Sequence, residues 1–197
     1  ADQIEELIAG YDGLLSVGAY NSPFASVVSG DEKAVEDLCK KLESQSIQAR
    51  RLRVSHAFHS RLMEPILEDF RVFARSMSYS AATIPIILNE TGCVGGKEEI
   101  DGDYWTRHIR QPVHFAKSMQ TAAELGTNVY LELGPSPTLL SLAAMANSNR
   151  QVTMQASMKR DSDAGIDMRL AAAGLYTAGL NLDWSEMGQP KSMYSGV

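Results

Sequence analysis

The sequence predicts an α/β fold in which a small ferredoxin-like subdomain precedes a helix-flanked, mainly parallel sheet. Residues 2–54 follow the order helix, strand, strand, helix, strand, and from residue 55 onward short apolar strands alternate with amphipathic helices. Apolar residues three and four apart indicate the helices, and short apolar runs between turn residues indicate the strands. A chain of 197 residues that is 44% hydrophobic can bury such a core without disulfides.

The small subdomain is predicted over residues 1–55. Its predicted elements are a helix over 2–9, strands over 13–19 and 24–29, a helix beginning after Ser29, and a strand over 47–54. Ser29 is the predicted N-cap of its second helix, in a capping box that Glu32 closes. A complete ferredoxin-like unit has one more strand at its start, which we expect upstream of Ala1.

The remaining residues are predicted to form two parts, 56–160 and 161–197. Their predicted elements are helices over 60–78, 104–109, 113–125, about 138–146 and about 164–178, and strands over 84–88, 128–133 and about 151–157. Pro65 is expected to disturb the first turn of its helix, and Pro112 to separate the two helices beside it. The polar tail from Gly188 is expected to be loose.

Charge and composition exclude several classes of protein. The net charge of −6 argues against a nucleic-acid binder, which needs a basic surface. The two cysteines are too few for a disulfide framework and predict reduced thiols in the cytoplasm. No apolar run could span a bilayer, and the acidic start does not resemble a signal peptide. The chain does not begin with Met, so we expect an excised or processed piece.

Two of the four histidines, His56 and His59, lie at a predicted junction between a strand and a helix. Strand ends open onto clefts in α/β proteins, and an imidazole titrates near neutral pH, so this segment is a candidate for general base and acid catalysis. The alternative is a solvent-exposed histidine that caps the following helix. A metal site is disfavoured, because Cys, Asp or Glu ligands do not converge nearby in sequence.

Other polar clusters have simpler interpretations. Residues 104–113 are interpreted as a helix that packs Trp105 into the core and leaves its arginines in water. Ser136 is not the serine of a G-x-S-x-G elbow, since Thr138 occupies the last position. A basic stretch at Arg50, Arg51 and Arg53 is interpreted as a solvated face, with contact to a phosphate as the alternative.

Several segments together resemble one known family, the acyltransferase domains of type I modular polyketide synthases and, more distantly, malonyl-CoA:acyl-carrier-protein transacylases. The segments are Val54-Ser55-His56-Ala57-Phe58-His59-Ser60 with Met63-Glu64-Pro65, Tyr104-Trp105-x-x-His108-x-Arg110-x-Pro112-Val113, Leu131-Glu132-Leu133-Gly134-Pro135, and Asn21-Ser22-Pro23 with Val27-Val28-Ser29-Gly30. The resemblance covers about residues 2–185. It implies that the chain is the C-terminal portion of such a domain: a ferredoxin-like small subdomain followed by the C-terminal part of an α/β-hydrolase-like large subdomain, with 161–197 holding the last helix and the start of a linker.

The resemblance also implies a reaction and a role for individual residues. In the family, a serine attacks the thioester of an extender-unit CoA, and a histidine, here His59, serves as base and then acid. His56 and Phe58 fall in a specificity motif whose form here goes with malonyl. The backbone carbonyl of His108 matches the position that orients the catalytic imidazole, and Asn21 matches a loop that borders the cleft.

The implied partners are malonyl-CoA, an acyl carrier protein bearing phosphopantetheine, a neighbouring ketosynthase and the upstream half of the same domain. That half would hold the G-H-S-x-G serine and the arginine for the malonyl carboxylate, both of which this chain lacks. We expect the domain itself to bind no cofactor or metal, and expect no nucleic acid or membrane as partner. The alternatives are the same fold acting on another acyl-CoA, and a noncatalytic fragment that only docks a carrier protein or supports structure.

Overall fold

A computed structural model describes residues 2–96 and 99–187. These residues form helices and a few short strands, and the chain divides into two compact units, Ala1–Leu125 and Gly126–Val197. The division into 1–55, 56–160 and 161–197 concerns the subdomains of the family and remains a prediction.

The first unit opens with a hairpin flanked by two helices. Its elements are α1 (Asp2–Ala9), β1 (Leu15–Ser22), β2 (Ala25–Gly30) and α2 (Glu32–Ser44). The strands pair antiparallel, as expected for the hairpin that the sequence predicts, and the structure places Leu15 opposite Gly30. Leu15 packs with the apolar side of α2, namely Ala34, Leu38 and Leu42, and helix α1 adds Leu7 and Ile8 to this core. Gly30 has a φ of 156°, and a Cβ there would lie 2.1 Å from the carbonyl oxygen of Leu14, so only glycine fits.

Two predictions in this region are wrong. The N-cap of α2 is Asp31, whose carboxylate accepts hydrogen bonds from the N–H groups of Lys33 at 3.0 Å and Ala34 at 3.1 Å. Ser29 cannot cap α2 because it still belongs to β2. Residues 47–54 form no strand, since no described strand lies beside them to share hydrogen bonds; instead, the side chain of Arg51 forms ion pairs with Glu32 and Glu36 of α2.

The rest of the first unit is helical. A 3₁₀ turn, Arg61–Met63, leads into α3 (Glu64–Arg75), and then follow α4 (Gly102–Arg110) and α5 (Phe115–Glu124). Pro65 lies in the first turn of α3, where a missing N–H leaves no helical hydrogen bond unmade. Gly102 lets α4 approach α3 closely, since a Cβ there would lie 2.7 Å from the carbonyl carbon of Ala74.

The strand predicted over 84–88 is also wrong. Only an isolated antiparallel bridge between Ile87 and Val94 forms there, across the turn at 89–92. Five apolar residues resemble a buried strand in sequence, but a strand also requires a neighbour along its whole length. Ile84 is 74% exposed, which agrees with the absence of a covering element in the described residues.

The second unit contains a parallel strand pair and two helices. Strands β3 (Val129–Glu132) and β4 (Thr153–Ala156) pair in parallel, with α6 (Leu139–Ala146) between them in sequence and α7 (Ala164–Thr177) after them. This is the strand–helix–strand connection that the sequence predicts. A 3₁₀ turn, Trp184–Met187, follows, and the predicted loose tail from Gly188 lies outside the described residues.

The carboxylate of Glu132 caps the turn that contains Ser136. It accepts hydrogen bonds from the N–H groups of Thr138, Leu139 and Leu140 at 2.9–3.0 Å. Burial raises the pKa of Glu132, but these three bonds outweigh burial and hold the pKa below its ordinary value. The segment is thus a capped strand-to-helix turn.

Among the described residues, no helix is both long and apolar enough to cross a membrane.

Candidate active site

His59 occupies a tight turn just before the 3₁₀ turn that precedes α3. Its φ of 62° lies in the left-handed region, which is uncommon for a residue with a side chain. Two anchors hold this backbone: the His59 N–H donates to the carbonyl of Ile109 at 2.9 Å, and the buried Ser60 hydroxyl donates to the carbonyl of Ala57 at 2.7 Å. Ser60 also accepts from the N–H of Leu62 and so caps the 3₁₀ turn. The His59 position is therefore fixed by hydrogen bonds to backbone carbonyls.

The His59 imidazole is oriented by a backbone carbonyl. Its Nδ1 lies 2.7 Å from the carbonyl oxygen of Gln111. A carbonyl oxygen only accepts, so Nδ1 must carry the hydrogen, and in the neutral ring Nε2 is left with a lone pair. No hydrogen bond to Nε2 occurs among the described residues. A histidine held in this way can take a proton at Nε2.

The prediction that the His108 carbonyl orients His59 is wrong. His108 lies within the last turn of α4, where the carbonyls point along the helix axis. Gln111 follows the end of the helix with φ −80° and ψ 152°, an extended conformation that turns its carbonyl away from the helix axis. The correct residue was missed because a backbone carbonyl leaves no mark on residue type; Pro112, which stops the helix, was the available signal.

The His108 side chain nevertheless contacts His59. The ring centroids lie 5.7 Å apart, with planes inclined at 82°. His108 Nε2 lies 3.2 Å from the side-chain nitrogen of Asn89. Burial lowers the pKa of His108 and the neighbouring His59 lowers it further, while Glu90 opposes both. The lowered pKa favours the neutral form of the His108 ring.

Tyr104 and Trp105 surround His108 on α4, with ring centroids 5.8 and 5.9 Å from its own. The buried aromatic residue is Tyr104, whereas Trp105 is 42% exposed. The interpretation that Trp105 packs into the core is therefore wrong. The arginines of α4 are not simply in water either, since Arg107 pairs with Glu90 at 2.9 Å and Arg110 pairs with Glu64 at 3.0 Å.

Phe58 lies between the two histidines of the motif. Its ring centroid is 6.3 Å from that of His56 and 6.5 Å from that of His59, and the side chain is 48% exposed. His56 is exposed, with Nδ1 3.0 Å from the hydroxyl of Ser55. The structure thus brings His56, Phe58 and His59 to one surface, with an aromatic ring beside the candidate base.

Asn21 lies on the strand that borders this region. The neighbouring Tyr20 N–H donates to the carbonyl of Val113 at 2.8 Å, and the Val113 N–H donates to Gly18 at 2.9 Å. Strand β1 therefore runs alongside the segment that follows Gln111. No hydrogen bond joins Asn21 to His59 in the described part of the chain.

No group of three or more His, Cys, Asp and Glu side chains that could hold a metal ion occurs among residues 2–96 and 99–187. The nucleophile that His59 would activate has no candidate from the sequence, because the chain contains no G-H-S-x-G. The site therefore presents an oriented base, an aromatic neighbour and no nucleophile of the type that the resemblance implies.

Comparisons with known proteins agree on one family. A family model described as "Acyl transferase domain" matches residues 1–181. The mycoketide-CoA synthase of Mycobacterium tuberculosis is 34% identical over 170 residues, which are 86% of this chain and 4% of that protein. Polyketide synthase GfsA of Streptomyces halstedii is 33% identical over 186 residues, which are 93% of this chain and 2% of that protein.

A solved structure agrees with these relatives. The acyltransferase domain from the second module of the salinomycin polyketide synthase superposes with a TM-score of 0.89 at 33% identity, over 100% of this chain and 46% of that one. The predicted α/β fold class is therefore confirmed. The chain spans less than half the length of that structure, and a far smaller share of the synthases.

Proposed function

Since the chain belongs to the acyltransferase domain family of type I polyketide synthases, we propose that it takes part in extender-unit transfer, with His59 as the catalytic base and acid. In this proposal a malonyl group moves from CoA to a serine, and then to the phosphopantetheine thiol of an acyl carrier protein. The observation that carries the proposal is the 2.7 Å bond from His59 Nδ1 to the Gln111 carbonyl, which leaves Nε2 as the proton acceptor.

The proton follows a closed path through Nε2. The serine hydroxyl gives its proton to Nε2 as its oxygen attacks the thioester carbonyl, and the tetrahedral intermediate collapses with loss of CoA thiolate. Nε2–H then protonates that thiolate. In the second half, the phosphopantetheine thiol gives its proton to Nε2, attacks the acyl-serine, and the serine oxygen recovers the proton. The Gln111 carbonyl supports the imidazolium in both halves, because its dipole faces the Nδ1–H.

The proposed malonyl preference rests on Phe58. Its ring stands beside His59, where the α-carbon of the acyl group would pass, and a methyl branch there would compete with the ring for space. One methyl group usually changes specificity by only about 1–3 kcal/mol, so the expected result is a preference. We predict that Phe58→Ser raises the methylmalonyl share in direct competition; an unchanged ratio would count against Phe58.

The serine is proposed to come from an upstream half of the same domain. This is supported by large apolar side chains that the described residues leave uncovered, notably Val72 and Phe73 on α3, and Ile84 beyond it. Large apolar side chains exposed in this way are expected at an interface or in a core that another segment completes. A neighbouring ketosynthase and the carrier protein are proposed as further partners within the synthase.

The experiment is intact-mass spectrometry of the chain joined to a serine-bearing upstream half. Malonyl-CoA and methylmalonyl-CoA are offered together, and a phosphopantetheinylated carrier protein is added afterwards. The expected result is a malonyl adduct on the serine half that moves to the carrier. No adduct from either CoA, with folding verified by circular dichroism, would favour another acyl unit or the noncatalytic docking alternative.

A further inference from the structure

The reaction proposed above uses His59 and leaves its neighbour, His108, without a role. Yet His108 is half-buried and its ring lies 5.7 Å from that of His59, nearly perpendicular to it. The proposed proton path does not require a second imidazole at this distance. The ring also contacts the side chain of Asn89 and the rings of Tyr104 and Trp105.

We propose that the neutral His108 side chain is a positioning residue, which holds the His59 ring in the orientation where Nδ1–H reaches the Gln111 carbonyl. This inference rests on the proposed role of His59 and adds a second residue to it. The His59 ring can rotate about its side-chain bonds, and the Gln111 bond restrains only its Nδ1 edge. Contact with the His108 ring restrains the ring plane itself, as aromatic pairs do in perpendicular arrangements.

The charges around His108 favour its neutral form. Glu90 is the nearby carboxylate, but it already forms a salt bridge with Arg107 at 2.9 Å, so its charge is largely balanced. The neighbouring His59 becomes an imidazolium during the proposed reaction. Tyr104 and Trp105 bring aromatic rings and no formal charge at neutral pH. A protonated His108 would oppose the charge that His59 must carry, whereas a neutral ring only orients it.

The contact with Asn89 gives the ring a defined rotation. Asn89 has a side-chain amide whose nitrogen can donate, which matches a lone pair on His108 Nε2 at 3.2 Å. The His108 proton then lies on Nδ1. The Asn89 backbone is itself fixed, since its carbonyl accepts from the His114 N–H at 2.8 Å. A chain of contacts therefore runs from the 89–92 turn through His108 to His59.

The test reads the tautomer of His59 directly, by nitrogen-15 NMR of the imidazoles in this chain without substrate. With four histidines in the sequence, each ring can be assigned by single substitution. In wild type, His59 is expected to be predominantly the Nδ1–H form. In His108→Ala the ratio of Nδ1–H to Nε2–H at His59 should fall by about two- to tenfold, the range expected for loss of one aromatic contact.

Matched variants separate positioning from general loss of structure. His108→Phe keeps a ring at this place without the Asn89 bond, and should keep most of the wild-type ratio. His114→Ala removes a ring that stacks on Tyr20 instead, and should leave His59 unchanged. If His108→Ala does not fold, His108→Gln decides, because its side-chain amide can still bond to Asn89 while the ring contact with His59 is lost.

An unchanged His59 ratio in folded His108→Ala, or in His108→Gln where that variant decides, would overturn the proposal. A fall in the ratio that is as large in His114→Ala would also overturn it, since the effect would not be local. The readout needs no acyl transfer, so failure of the transferase reaction and failure of this inference are distinguishable.

Discussion

The hairpin–helix region (residues 2–44) and the α3–α4 region (residues 59–111) are stabilised in different ways. In the first, Leu15 and the apolar side of α2 bury one another, and Leu38 is only 3% exposed. In the second, α3 carries an equally apolar stripe, but Phe73 on that stripe is 63% exposed. What joins α3 to α4 is a close approach at Gly102 and ion pairs such as Arg75–Asp103 at 2.8 Å.

This difference explains how the candidate site is built. His59 and the carbonyl that orients it lie in the α3–α4 region, where local hydrogen bonds, caps and ring contacts fix positions more than a closed core does. Such a region can hold a precise geometry and still present apolar surface to another segment. The hairpin–helix region buries its apolar residues within itself, so it has less need of another segment to cover them.

Large-to-small substitutions should separate the two regions most strongly. Leu38→Ala removes a buried side chain and should lower the free energy of unfolding by about 2–5 kcal/mol. Phe73→Ala, on the matching apolar side of α3, should change it by less than about 0.5 kcal/mol, since that side chain lies mostly in solvent. Urea unfolding followed by circular dichroism measures both. Equal losses would mean that the α3 stripe is covered in this chain.

Helix capping should give a smaller effect, and the sequence offers its own control. Asp31→Ala removes the carboxylate that accepts from two N–H groups of α2 and should cost about 1 kcal/mol. Ser29→Ala, at the position that the sequence favoured, should cost little, because Ser29 lies in β2. If urea unfolding showed a larger loss of unfolding free energy in Ser29→Ala than in Asp31→Ala, Ser29 would be the cap.

The left-handed backbone at His59 should give an effect of similar size. Replacement by alanine or by glycine removes the imidazole equally, but only glycine adopts a φ of 62° without steric cost. We expect His59→Gly to be more stable than His59→Ala by about 1 kcal/mol. Thermal unfolding of the two variants side by side measures the difference; equal stability would mean that the turn relaxes once the side chain is gone.

The pH dependence of the free energy of unfolding should also arise in and beside one region, the α3–α4 region. All four histidines lie in or beside the α3–α4 region, and burial lowers the pKa of both His108 and His114. The unfolded chain therefore binds more protons than the folded one just below the ordinary histidine pKa of about 6.5. Above that pH, these two histidines make their full contribution to the free energy of unfolding. The contribution falls as the pH drops through about 6.5, and it stops falling once the pH is below the pKa values of the folded protein.

The check is the unfolding free energy between neutral and mildly acidic pH, read from Trp105 fluorescence in a Trp184→Phe background. Substituting both His108 and His114 by Gln should flatten the slope in this window. If the slope of unfolding free energy against pH remained after both substitutions, groups other than His108 and His114 would cause it.

The sequence predicted periodic and motif-based features well. The hairpin, the amphipathic helices and the parallel pair β3–β4 follow from apolar spacing, and the prominence of His59 follows from a compact motif. Prediction from the sequence failed where the structure of a segment depends on a neighbouring strand that is distant along the chain. Residues 47–54 and 84–88 have the composition of strands, but no described strand lies alongside either segment.

The site could be predicted only in part, for a related reason. His56, Phe58 and His59 are neighbours in the chain, so their proximity follows from the sequence. The role of Gln111 depends on a main-chain carbonyl, which every residue has, and on where α4 ends. The contact between the His59 and His108 rings depends on how two elements 49 positions apart pack. Neither the role of the Gln111 carbonyl nor this ring contact can be recognised from the type of residue.

The central claim is that His59 carries the proton in acyl transfer, and the paired histidines of its motif allow a direct test. In the chain joined to a serine-bearing upstream half, malonyl transfer from CoA to the carrier protein is timed for His59→Ala and His56→Ala. We predict that His59→Ala slows transfer by about 10²–10⁴-fold, whereas His56→Ala changes mainly the choice of acyl group. Transfer at near the wild-type rate by a folded His59→Ala variant, or an equal loss in both variants, would contradict the account.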